Sequence, residues 1–292
     1  VYPGLYFSSS YSDSPISFSR KKKGERLTKN NFGSIMKLNL PKVNFDYSFI
    51  QNLKSTWNLS RFELSSILKN WIFITILIIL MLFVVGSGYT LGQEIYGSKT
   101  FPVTWKVLDT LDLFLSFFVF ISIALFSGIL LQNSTTSRMN LLVDSTPIPN
   151  WVLFISKVIA LIKMTVLFLL VGMISCILIQ IFYGYYDFEF GIYFKSLFVY
   201  DLIGYIIVIL FAMFIQSLFK NYLVGFITLI VFMLVKQFFF RFGIEQQIYH
   251  FNSGSIGGYS DMNGFGTTRT FFIYKAYWFL FTLLLSCFTL LL

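Results

Sequence analysis

Charge is scarce in this sequence. Only 12% of its 292 residues are Asp, Glu, Lys or Arg, about half the share that a globular surface carries, and that shortage excludes an ordinary water-soluble fold. Histidine is scarcer still. A zinc hydrolase helix needs two His at helical spacing with a Glu between them, and His250 stands alone, so metal hydrolysis has no ligand set here. No Gly-rich loop ends in Lys-Ser or Lys-Thr, so ATP phosphates find no cradle of backbone amides. The two cysteines, Cys176 and Cys287, lie inside apolar runs and read as small buried hydrophobes, not as a disulfide framework. Asp109, Asp112, Asp144, Asp187 and Asp201 fall at expected span ends or in connections, where a facing pair for intramembrane aspartyl proteolysis does not form. Asp109 and Asp112 share a helix face and read as solvated end caps within reach of Lys106. By itself the chain is expected to be no enzyme and to hold no cofactor or metal.

Apolar side chains, by contrast, are abundant: 56% of the residues are hydrophobic and 37 are Phe. Such a chain expects a solvent as apolar as itself, and the bilayer is that solvent. The expected fold is an all-α integral membrane protein. Residues 1–46, with the run Arg20-Lys21-Lys22-Lys23, read as a flexible basic cytoplasmic linker, and no apolar h-region follows that run, which excludes a signal peptide. Over 47–70, Ile50, Leu53, Trp57, Leu64 and Leu68 recur at helical spacing with Lys54, Arg61 and Lys69 on other faces, the pattern of an amphipathic helix at the membrane interface. Residues 71–292 read as six transmembrane helices, at about 71–90, 111–131, 158–183, 197–219, 222–239 and 271–292; each supplies the roughly 20 residues a ~30 Å hydrocarbon core demands. Lys157 and Lys163, at the start of the third, are placed in the interface, and Lys236 is expected to snorkel. Six crossings put fifteen of the 22 lysines and arginines on the side of the amino-terminal tail and seven on the other. Basic-inside then leaves both ends in the cytoplasm of a multi-pass inner-membrane protein. The net charge of +9 reflects that topology and anionic lipid; no nucleic acid is expected as a partner. The sequence starts at Val1 instead of Met and stops within an apolar run at Leu292, which reads as a piece of a longer polypeptide.

Two connections differ from simple turns. In the cytoplasmic one, Ser137 or Thr136 can cap a short helix through Arg138, Met139, Asn140, Leu141, Leu142 and Asp144, stopped by Pro147 and Pro149. It reads either as a docking knob for a cytoplasmic partner or as a loop resting on lipid. The outer segment 241–270, glycine-rich around Tyr259, Asp261 and Asn263, is longer than a connector needs and reads as a cap over an external mouth or as a flexible loop.

The strings Trp57-Asn-Leu-Ser-Arg61-Phe-Glu63-Leu, Tyr96-Gly-Ser98-Lys-Thr100-Phe-Pro102-Val-Thr104-Trp105, Arg138-Met-Asn140, Pro147-Ile-Pro149-Asn-Trp151 and Tyr259-Ser-Asp261-Met-Asn263-Gly-Phe-Gly266 carry a resemblance. Together with the element order over 47–292, they resemble the permease half of a type 2 ABC exporter, of the large bacterial sort sometimes fused to a carboxy-terminal zinc aminopeptidase domain. The family often places charged residues before the Arg-Met-Asn string, where Gln132-Asn-Ser-Thr-Thr is neutral. The resemblance implies a cytoplasmic ABC ATPase subunit that holds ATP and Mg, and a second permease half or second copy. It further implies coupling through Arg61, Glu63, Arg138, Met139, Asn140, Leu141, Leu142 and Asp144, and a cargo path between the halves. Two other functions stay open on the residues alone: a membrane anchor for a downstream peptidase domain, and a channel or ion-coupled carrier, which the lack of mid-membrane carboxylates disfavours.

Overall fold

A computed structural model describes residues 48–91, 102–136, 148–243, 245–254, 256 and 258–291. The linker expected over 1–46 and the short helix expected around 138–146 lie outside the described residues. Among those described there are seven helices and no strand; a single isolated bridge pairs Ser260 with Gly264. The helices are α1 (Phe49–Leu68), α2 (Trp71–Leu91), α3 (Thr104–Thr136), α4 (Asn150–Phe182), α5 (Phe190–Leu218), α6 (Tyr222–Phe238) and α7 (Arg269–Leu291). Within α5, Phe190–Tyr193 and Leu202–Leu218 are α-helical and Phe194–Asp201 is a π-helical stretch.

Local chemistry sets the boundaries. Ser48 caps α1 by accepting from Gln51 N at 3.3 Å, and Asn70 opens α2 by accepting from Ile72 N at 3.0 Å. Pro149, extended at ψ 143°, precedes α4. Gly184, at φ +74°, turns the chain away after it, a conformation that costs glycine little. Asn221 caps α6 through Leu223 N at 3.0 Å, which makes the α5–α6 turn tight.

Helices α2, α3, α4, α5 and α7 are long and apolar enough to cross a bilayer; α6, at 17 residues, is shorter than these five. Six crossings were expected, with that over 222–239 the shortest. Three helices also start well before the expected spans: α3 at Thr104, not 111, α4 at Asn150, not 158, and α5 at Phe190, not 197. Asp109, Asp112 and Asp201 therefore sit inside helices and not at their ends.

Apolar side chains gain little by leaving lipid for protein, so helices in a bilayer associate through close packing and polar contacts. Phe73 on α2 meets Phe126 of α3 and Phe168 of α4 edge to face, at 6.0 and 5.3 Å. Buried hydroxyls such as Ser127, Thr165 and Ser175 donate to carbonyls of their own helices. Three amides tie helices together. Gln180 donates to Pro102 O at 3.2 Å and accepts from Tyr193 Oη at 2.8 Å. Gln132 donates to Phe219 O and accepts from Tyr222 N, fastening α3 to the α5–α6 turn. Gln216 on α5 donates to Ala124 O at 2.9 Å and fits between Gly128 and Gly225, where an added Cβ would overlap its carboxamide.

Helix α1 packs chiefly on α4. Its buried face is Thr56, Ser60 and Ile67, while Phe49, Ile50, Leu53, Trp57 and Phe62 are exposed. The expected apolar stripe is thus split: Ile50 and Leu53 are exposed, Trp57 lies against Lys163 of α4, and Leu64 and Leu68 pack against the core beside Ile67.

Candidate functional site: a groove with aromatic walls and facing carboxylates

Helices α3, α5, α6 and α7 and the segment after α6 enclose an open groove of about 1280 Å³. Phe114, Phe117 and Phe118 of α3 and Tyr200 of α5 supply aromatic walls. Three carboxylates, Asp109, Asp112 and Asp201, and two ammoniums, Lys236 and Lys275, also line it. Asp112 lies roughly two turns in from Thr104, and Asp201 roughly three turns in from Phe190. Charges so far inside apolar helices are expensive and are retained where they face a bundle interior or a cavity.

Asp201 lies within Coulombic range of both the Asp112 carboxylate and the Lys275 ammonium. Lys275, 7% exposed, donates to Asn252 Oδ1 at 2.8 Å and to Asn252 O at 3.0 Å. Asn252 donates in turn to Gly204 O at 3.3 Å and holds φ +57°, in the left-handed region that asparagine tolerates better than most residues. Lys236, expected to snorkel, is half-buried beside the groove, with Nζ 6.0 Å from the Phe251 ring centre. Asp109 and Asp112 were read as end caps near Lys106; Asp112 instead faces the groove within range of Asp109 and Asp201, and Lys106 stands 5.8 Å from the Trp105 ring centre.

The segment after α6 is anchored. Phe251 inserts between helices, 4.6 Å from Phe211 of α5, 5.5 Å from Phe232 of α6 and 5.3 Å from Trp278 of α7. Trp278 Nε1 donates to Ser253 Oγ at 3.3 Å. Of the residues expected to cap an outer mouth, Tyr259 lines the groove and packs edge to face on Phe265 at 5.1 Å. Asp261 and Asn263 are exposed in the tight turn closed by Gly264 N donating to Ser260 O at 2.7 Å.

The residues expected to couple to an ATPase divide in two. Arg138, Met139, Asn140, Leu141, Leu142 and Asp144 lie outside the described residues. Arg61 and Glu63 lie on α1: Arg61 is exposed, its guanidinium 5.7 Å from the Trp57 ring centre, and Glu63 is half-buried. Burial pushes the Glu63 carboxyl above its ordinary range, and Lys157 of α4 pulls it part of the way back. Lys163 Nζ donates to Ser60 Oγ at 2.7 Å, and Lys157 Nζ to Leu130 O of α3 at 2.5 Å. These contacts join α1 to α4 and α4 to α3.

Asp201, Tyr205, Asn252 and Lys275 escaped the sequence reading as site residues. Single charges or amides beside long apolar runs were the available signal, and counting them only toward topology hid it.

The family described as ABC-2 family transporter protein matches residues 68–236, from the end of α1 into α6. No curated protein matches the chain. With more than half of its length inside that match and five helices fit to cross a bilayer, this multi-pass membrane chain belongs to the ABC-2 family of transporter proteins.

Proposed function

We propose that the chain is the membrane-spanning permease component of an ABC exporter and moves its cargo with ATP hydrolysed on a separate cytoplasmic subunit. The family match over 68–236 is the observation that carries this reading. ATP and Mg bind the partner, the chain itself catalyses no reaction, and a second half or a second copy completes the pathway. Six helices, α2 to α7, cross the inner membrane in this reading, with both ends cytoplasmic; the lysine and arginine distribution supports that orientation. The exposed apolar side chains of α1 suit the lipid interface.

Coupling is mechanical. Nucleotide-driven closure of the ATPase subunits pushes on α1 and on residues 138–146, and the bonds from Lys163 to Ser60 and from Lys157 to Leu130 carry that push into α4 and α3. The groove between α3 and α5 presents the cargo surface. A zinc peptidase domain fused after Leu292 would appear in the full reading frame as a helix with His-Glu-x-x-His.

Purification of the intact protein in mild detergent tests the proposal. An ATPase subunit is expected to co-purify and to be lost when Leu141 and Leu142 are both exchanged for Asp. A preparation that transports cargo on a proton gradient without any ATPase overturns the proposal.

A further inference from the structure

We propose that the groove between α3, α5 and α7 binds an amphiphile bearing a protonated amine, with the ammonium at Asp112 and the apolar body along the aromatic wall. This deepens the permease reading by naming a cargo class, and it rests on that reading only for the step of transport.

Charge placement carries the first half of the argument. Asp201 has the Lys275 ammonium within Coulombic range, and that ammonium is fixed by two hydrogen bonds to Asn252. The charges acting on Asp112 are carboxylates, Asp109 on its own helix and Asp201 on α5. Three carboxylates and two ammoniums line the groove, so one carboxylate there lacks a counter-ion, a deficit that a cationic ligand makes good. Tyr205 adds an independent pointer. It is 9% exposed, lines the groove within range of Asp112 and Asp201, and its hydroxyl makes no hydrogen bond among the described residues. That hydroxyl remains accessible from the groove, and an ammonium has three donors to place. Asp112 and Tyr205 offer acceptors to two of them.

The wall decides the rest of the ligand. Among the described residues no three His, Cys, Asp or Glu side chains stand close enough to hold a metal ion, so a bare divalent cation is poorly served. Phe114, Phe117 and Phe118 offer instead a ladder of rings beginning beside Asp112, with Phe117 60% exposed. An aliphatic or aromatic body on the amine covers them, and aromatic faces also favour a nearby cation.

Photolabelling tests this. The full chain in phosphatidylcholine nanodiscs is exposed to dodecylamine carrying a terminal diazirine, or to the dodecanol of the same skeleton, and labelled peptides are mapped by mass spectrometry. The amine is expected to label 105–121 and 196–208 about tenfold more than the alcohol, the ratio a charge-assisted hydrogen bond supplies. Asp112→Asn should bring the amine down to the alcohol's level, Tyr205→Phe should reduce it in part, and Asp261→Asn in the exposed turn should leave it unchanged. Equal labelling by amine and alcohol overturns the proposal, as does labelling indifferent to both groove variants. Millimolar magnesium displacing the probe as well as unlabelled dodecylamine would assign the site to simple cations and also overturn it. No nucleotide is needed for binding. Failure of the permease reading therefore shows as a missing ATPase with labelling intact, and failure of this inference as lost labelling with the ATPase present.

Discussion

The ammonium of Lys163 stands 3.5 Å from the centre of the Trp57 ring while its Nζ also donates to Ser60. One cation on α4 thus engages two residues a turn apart on α1, through an aromatic face and a hydroxyl. An ammonium is hard to leave alone beside an apolar helix, so α1 cannot swing away without stranding it.

A double-mutant cycle measures this clasp. Trp57→Leu and Lys163→Met, each alone and together, should show a coupling of about 1 kcal/mol in detergent unfolding. Additive losses would mean that the contact contributes nothing to holding α1.

Gly225→Ala should destabilise the α5–α6 hairpin by about 1–3 kcal/mol, because the new methyl overlaps the Gln216 carboxamide. Gln216→Ala in the same background should recover part of that loss, since it clears the space. Failure of the second change to relieve the first would place the strain elsewhere.

Glu63 gives a pH dependence whose sign is fixed by its environment. Burial raises its folded-state pKa above the 4.5 of a free glutamic acid, against the smaller pull of Lys157. The folded chain then binds more protons than the unfolded one in the window just above pH 4.5, and its stability falls as pH rises through that window. Glu63→Gln should flatten this slope in a series of melting curves. An unchanged slope would assign the pH dependence to another group.

Phe251→Ala should loosen the segment after α6 by about 3 kcal/mol, because its ring fills space between Phe211, Phe232 and Trp278. Hydrogen exchange over 245–266 is the readout, with faster exchange expected there and little change in α2 and α4.

Orientation has its own check. An amine-reactive, membrane-impermeant label applied to intact cells should modify Lys99 and spare Lys21, Lys22 and Lys23. The opposite pattern would invert the topology.

Much of the architecture was legible because hydrocarbon imposes a single rule, a helix of sufficient length for each crossing. Trp71 opens α2 where the apolar run begins, and Asn221 marks the α5–α6 turn through its capping side chain. The starts of α3 and α5 were misjudged. Thr104 to Thr110 and Phe190 to Ser196 include polar residues that a hydropathy run discards, yet both stretches are helical and deepen the position of Asp112 and Asp201. The groove was illegible for a different reason: Asp201, Lys275 and Asn252 come from three separate segments, and no spacing in the sequence announces their meeting. The role of Trp57 was half read, since its periodicity marked an apolar stripe but could not reveal the lysine over its face.

The stretch Phe194–Asp201 winds as a π-helix immediately before the α-helical part of α5. Such a stretch behaves as a surplus residue lodged in an otherwise regular coil. Losing one residue there would close the wide turn into ordinary coil and leave the preceding turns close to their present facing relative to Tyr205 and Gln216. A residue can thus be gained or lost beside Asp201 with the glutamine-clamped end of the bundle left untouched.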